Sequence, residues 1–103
     1  MRTPKKLMPI LVVGVNHKTA PLYVRDRVAV GSDQMEGALS ALRHHVGSGV
    51  ILSTCNRSEV YALVPNLEKG TDSVMGYISA YHGVARREIA PYLYTYDREA
   101  AVR

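Results

Sequence analysis

Residues Val50 to Leu63 read VILSTCNRSEVYAL. An apolar run, Val50-Ile51-Leu52, ends in Ser53-Thr54-Cys55-Asn56-Arg57, and a second strand-like run, Ser58 to Val64, leads the chain away. Two strand signals with about two residues of turn between them predict a tight hairpin, with Asn56 and Arg57 in its turn. The strand end before that turn carries Cys55, the only cysteine of the chain, between a hydroxyl (Thr54) and an amide (Asn56), with a guanidinium (Arg57) two residues on. A thiol at a strand end beside a cation suits a nucleophile, because positive charge favours the thiolate that attacks. The plainer alternative is a small buried hydrophobe, the fate of most single cysteines.

Working outward, Ile10 to Val15 (ILVVGV) is continuously apolar and rich in β-branched residues, which predicts a central strand. Asn16-His17-Lys18-Thr19-Ala20-Pro21 breaks it. Pro21 disfavours helix at Ala20, so these residues predict a loop at a strand end. The loop is either an ordinary solvated turn or a second wall of the Cys55 site, and spacing does not decide between them. Within it, His17 is read equally well as a buried structural histidine. Leu22 to Val30 fits a short helix or an extended connector with Arg25, Asp26 and Arg27 exposed.

Ser32 or Asp33 can cap a helix, with Glu36 in capping-box register to Asp33. Met35, Ala38, Leu39, Leu42 and Val46 then recur at helical spacing, which predicts an amphipathic helix over 33–46. Arg43, His44 and His45 fall in its last turn, where positive charge suits the helix dipole, and Gly47 and Gly49 stop it. Downstream, Asn66 is placed to cap a second helix with Leu67, Val74, Met75, Ile78 and Tyr81 on one face, closed by Gly83 with His82 at the surface. Ala85 to Ala90 fits a further helical turn ended by Pro91, and Tyr92 to Tyr96 a last strand. Met1 to Pro9 reads as a basic, loosely ordered lead-in.

The order strand, helix, strand, strand, helix, strand predicts an α+β fold. It is the ferredoxin-like split βαβ plan, a four-stranded antiparallel sheet with helices on one face. The 103 residues form a single domain, 1–103, with 47% hydrophobic and 21% charged residues, values typical of a soluble globular protein. Thirteen basic against nine acidic residues give +4, a mild preference for an anionic partner. One cysteine excludes an internal disulfide and fits a reducing cytoplasm. One cysteine and four scattered histidines make no zinc spacing, and no apolar run has the length of a membrane span. Asp97 to Arg103 (DREAAVR) reads as a helix start with acidic residues in its first turn. A helix that short does not hold by itself, so the expectation is a fragment of a longer enzyme, ending inside a helix.

Two stretches, VGVNHKTAP (Val13 to Pro21) and LSTCNRSEVY (Leu52 to Tyr61), resemble the N-terminal domain of glutamyl-tRNA reductase. The resemblance runs from Ile10 to the closing YDREAAVR. It implies the ferredoxin-like fold, and an activity that converts glutamate carried on tRNA to glutamate-1-semialdehyde with NADPH, the first step of tetrapyrrole synthesis. On the matching positions it implies that Cys55 is the nucleophile that forms a thioester and that Arg57 reads the glutamate carboxylate. Thr54 and Asn56 would line the substrate pocket. It also implies a homodimeric full-length enzyme with glutamyl-tRNA as partner. An activity-linked histidine, an NADPH domain and a dimerisation domain would follow Arg103. Without them this chain is expected not to carry out the reduction. The reading from a different class is a non-catalytic ferredoxin-like module that binds RNA or protein on its open sheet face, using some of the seven tyrosines. A third is a regulatory domain that keeps the pocket only as a sensor.

Overall fold

The computed structural model describes residues 7–101, with side chains described for 9–97. Strand β1, Leu7–Asn16, is followed by a short helix α1, Leu22–Arg27, and by α2, Met35–Val46. Strands β2, Gly49–Ser53, and β3, Arg57–Leu63, form the hairpin. Helix α3, Leu67–His82, a one-turn helix α4, Arg86–Ile89, and a 3-10 turn, Ala90–Tyr92, lead into β4, Tyr94–Ala101. All pairings are antiparallel and the sheet order is β2-β3-β1-β4. This is the ferredoxin-like α+β arrangement that the element order predicted.

Side chains alternate across the two central strands. Leu11, Val13 and Val15 of β1, with Val60 and Ala62 of β3, enter one core with Leu42 of α2 and Val74, Tyr77 and Ile78 of α3. The other face carries cross-strand rows. One is Leu52, Glu59, Gly14 and Tyr94; the next is Val50, Tyr61, Val12 and Tyr96. Val12 is buried on this face, between Tyr61 and Tyr96 in its row.

The first helix region is a real helix, but Arg25 in it is half-buried while Asp26 and Arg27 are exposed. The expected cap at Ser32 or Asp33 does not form. Gly31 to Gln34 instead close a turn, with Gln34 N donating to Gly31 O at 3.0 Å, and α2 starts after Gln34 without a side-chain cap. Asn66 does cap α3, its Oδ1 accepting from Lys69 N at 2.9 Å. Gly83 closes α3 at φ 65°, a left-handed conformation that only glycine adopts freely. Tyr81, expected on the inner face of α3, is exposed, and Tyr77 takes the core place. In a chain without Phe or Trp, Tyr77 is the largest fully buried side chain. Its hydroxyl donates to Ala38 O of α2 at 3.1 Å, so the phenol is buried without an orphaned group, and burial pushes it up to about 12.

Two further expectations change. β1 begins at Leu7, so Leu7 to Pro9 belong to a strand rather than to a loose lead-in; residues 1–6 lie outside those described. The helix start expected at Asp97 is strand: Asp97–Ala101 continue β4, paired with Leu7–Leu11 of β1. A waiting ladder supplies backbone partners at once, whereas a helix of one and a half turns does not repay its nucleation. Val102 and Arg103 lie outside the described residues.

His82, expected at the surface, is half-buried, its ring centroid 5.0 Å from that of Tyr81 and 6.4 Å from that of Tyr77. Burial lowers its pKa below the ordinary 6.5. As pH falls, the unfolded chain therefore takes up this proton before the folded one. The stability held by the neutral ring is complete above pH 6.5 and declines as pH falls through that value. The melting temperature should drop between pH 7.5 and 5.5, and His82→Gln should flatten that drop; an unchanged slope would rule out this origin. Asn66→Ala should cost about 1 kcal/mol in urea unfolding, the usual worth of an N-cap.

Candidate functional site

The hairpin turn is Thr54-Cys55-Asn56, and Arg57 is the first residue of β3 rather than part of the turn. Thr54 shapes it. Its Oγ1 accepts from Asn56 N and from Arg57 N, each at 3.2 Å, and Thr54 N donates to Arg57 O at 2.7 Å. Serine and threonine form such turns because a short hydroxyl reaches the next backbone N–H groups. Cys55 is exposed, which removes the buried-hydrophobe reading. Thr54, Asn56 and Arg57 are exposed as well, so all four predicted site residues present themselves at one end of the sheet.

The β1 loop meets them there, because Asn16 pairs with Arg57. Asn16 and Thr19 are spent on shaping that loop: Asn16 Oδ1 accepts from Lys18 N at 2.8 Å and Thr19 N at 3.0 Å, and Thr19 Oγ1 accepts from Asn16 N at 3.0 Å. His17 and Lys18 are exposed, so His17 is not a buried structural histidine.

From the body of the domain, three hydrogen bonds reach the thiol loop. Arg25 Nη1 donates to Cys55 O at 2.8 Å, Val30 N to Ser53 Oγ at 2.9 Å, and Ser58 Oγ to Val28 O at 2.8 Å. They tie both shoulders and the tip of the hairpin to α1 and the residues after it. A hollow of about 320 Å³ opens beside Cys55, lined by Arg25, Gly31, Ser53 and Thr54 among others.

Arg57 lies on the open face of the sheet, one row beyond Glu59, with its Nε 3.7 Å from Glu59 Oε1. Glu59 is the only buried charged residue among those described, at 6% exposure. Its carboxyl accepts from Tyr61 Oη at 2.7 Å and from Tyr94 Oη at 2.5 Å. Burial and the bond to Glu59 raise the Tyr94 pKa, which keeps the phenol protonated as the donor. Gly14 makes room for this group: a Cβ there would stand 2.6 Å from Ser58 O and 2.7 Å from Glu59 Cγ. Sequence reading missed Glu59. The available signal was an acidic residue two places from a tyrosine on one strand, opposite a glycine in an otherwise β-branched strand.

Among the described residues no cluster of His, Cys, Asp and Glu gathers as metal ligands would, and no helix is long and apolar enough to cross a membrane. A dinucleotide cradle is not formed by the described residues either. Such a cradle needs a glycine-rich turn between a strand and a helix N-terminus, whereas Gly47-Ser48-Gly49 leads from the end of α2 into β2.

Fold and site together define a ferredoxin-like α+β domain that displays one thiol on a pinned hairpin turn, followed by an arginine braced on a buried acid. The chain belongs to the glutamyl-tRNA reductase family: the model of "Glutamyl-tRNAGlu reductase, N-terminal domain" matches residues 13–103. It is 44% identical over 98 residues to the glutamyl-tRNA reductase of Marinomonas sp. (strain MWYL1), covering 93% of this chain and 23% of that protein. It is 41% identical over 97 residues to that of Synechococcus sp. (strain CC9311), covering 92% of this chain and 22% of the relative. The glutamyl-tRNA reductase of Pelobacter propionicus matches at 41% over 98 residues, 93% of this chain and 22% of its own. The chain thus spans under a quarter of the length of these curated relatives.

Glu59→Ala strips two tyrosine hydroxyls of a buried partner. It should destabilise the fold by about 1–3 kcal/mol in urea unfolding, the cost of removing the buried acceptor of two hydrogen bonds. A loss below a few tenths of that would mean that water replaces the carboxyl freely.

Proposed function

We propose that this domain forms the thioester in a glutamyl-tRNA reductase, with Cys55 as nucleophile. The observation that carries the reading is the exposed Cys55 thiol on a turn fixed by both local and long-range hydrogen bonds, with Arg57 leaving that turn at the same sheet end. Cys55 Sγ attacks the carbonyl carbon of the ester that joins glutamate to the terminal ribose of its tRNA. A C–S bond forms, the C–O bond to the ribose breaks, and the proton given up by the thiol is balanced by the one that the departing ribose oxygen takes up as a hydroxyl. Splitting the chemistry at a thioester turns one difficult acyl reduction into two easier steps.

Arg57 takes the glutamate side chain. A planar guanidinium can grip a carboxylate through two parallel N–H bonds, which separates glutamate from glutamine. Glu59 supports the orientation of that guanidinium from below. Thr54, which lines the hollow beside Cys55 and builds the turn with its hydroxyl, and Asn56, exposed at the tip of that turn, face the bound glutamate. The reductant is NADPH, bound by residues other than those described, and no reduction step falls to this domain. The substrate glutamyl-tRNA, a homodimer assembled through other parts of the enzyme, a cytoplasmic location and a place at the start of tetrapyrrole synthesis belong to the same proposal. So does the extent of the unit, with 1–103 as one catalytic domain of a longer chain. The alternative, an RNA-stacking sheet face, has less to draw on: Tyr61 and Tyr94 turn their hydroxyls onto Glu59, and Tyr96 is the exposed ring there.

Cys55→Ser should lower tRNA release from glutamyl-tRNA by more than about 1,000-fold, as loss of a nucleophile does in acyl transfer. Acid quenching of the wild type should trap glutamate on Cys55. Release at an undiminished rate by the serine variant would end the thioester reading. Arg57→Lys should lower kcat/KM for glutamyl-tRNA by about 10- to 100-fold, the worth of hydrogen bonds to a charged group, and narrow the preference over glutaminyl-tRNA. An unaltered preference would remove Arg57 from substrate reading.

A further inference from the structure

We infer that Arg25 is a positioning residue for the thiol loop, a role that rests on the thioester reading of Cys55. The hydrogen bonds made inside the turn all run between Thr54, Asn56 and Arg57. None of them uses the carbonyl of Cys55. Among the described residues that carbonyl is held by Arg25 Nη1, at 2.8 Å and across thirty residues of sequence. The peptide plane between Cys55 and Asn56 is thus held at its carbonyl from α1 and at its N–H by Thr54 Oγ1, which limits how the Cys55 backbone can turn. A nucleophile gains rate from such fixing because the reacting atoms must sit in a near-attack geometry.

The guanidinium of Arg25 runs from the interior of the domain out to the loop. Its Nε is buried and has no hydrogen-bond partner among the described residues, while Nη1 reaches the loop. Leaving a buried N–H unpaired is unfavourable, and the bond that this side chain makes in return is the one to the Cys55 carbonyl. The neighbouring ties, Val30 N to Ser53 Oγ and Ser58 Oγ to Val28 O, hold the shoulders of the same hairpin without touching Cys55. They provide an internal control: they share the structural part of Arg25's work and not its contact with the thiol residue.

The test compares Arg25→Met, Arg25→Lys, Ser58→Ala and Cys55→Ser in the protein at its natural length, with glutamyl-tRNA as substrate and melting temperature recorded for each. Arg25→Met should lower kcat for tRNA release by about 10- to 100-fold, the range that a misplacement near 1 Å produces, with KM changed less than about threefold. Arg25→Lys, which keeps one donor, should recover most of the rate. Ser58→Ala should lose melting temperature but keep kcat within about threefold, a margin worth well under one decade of rate. Arg25→Met at the wild-type rate, or Ser58→Ala as slow as Arg25→Met, would overturn the inference. If Arg25→Met does not fold, Arg25→Lys decides: wild-type melting with kcat as low as that of Cys55→Ser would also overturn it. Full tRNA release by Cys55→Ser would instead strike the thioester reading itself, whatever Arg25 does.

Discussion

The register between β1 and β3, from Ile10 opposite Leu63 to Asn16 opposite Arg57, is the constraint on which the rest depends. Side chains alternate with a period of two, so a slip by one residue would exchange the faces of a strand. It would drive Arg57 and Glu59 toward the core and turn Val60 and Ala62 out to solvent. Gly14 helps to fix that register, since its position alone on β1 lacks a side chain where Glu59 must lie. The same pairing brings the Asn16–Thr19 loop beside the start of β3. The placing of the two motif loops at one sheet end is thus a consequence of strand pairing and needs no contact between the loops.

The core face and the site face divide the work of the two central strands. Leu11, Val13, Val15, Val60 and Ala62 supply apolar burial, which is insensitive to direction. The opposite face holds a buried acid between two phenols and one arginine, which is highly directional. A charged group kept at 6% exposure is tolerable only because donors satisfy it. That arrangement supports the proposed grip of Arg57 on a carboxylate, because a guanidinium braced from one side has fewer orientations to lose on binding.

The fold was legible because its signals are local. Continuous β-branched runs marked β1 and the hairpin, Asn66 and Gly83 bounded α3, and the element order left one common plan. The four candidate site residues could be named from the sequence because they are contiguous in it. What escaped was set by tertiary partners. Tyr77 rather than Tyr81 enters the core because α2 offers it both apolar surface and the Ala38 carbonyl. Asp97 to Ala101 became strand because β1 reaches back to Leu7 and offers a ladder to pair with. Arg25 looked like one of three exposed charges on a short helix, and Glu59 like an ordinary polar residue in an alternating strand. Contacts across thirty or more residues give both their meaning, and no local pattern announces them.

The pairing of Leu7 with Ala101 sets both ends of the described chain side by side, at the pole of the sheet away from Cys55. Over the nine steps of β1 from Leu7 to Asn16, a strand spans on the order of 30 Å. A label or fused protein attached at either end would therefore leave the thiol turn open, and would suit surface immobilisation with Cys55 facing solution. Conversely, any segment that starts from Ala101 and closes over the thiol has to travel back the full height of the sheet. In extended form that takes about nine residues before its first side chain can meet Cys55.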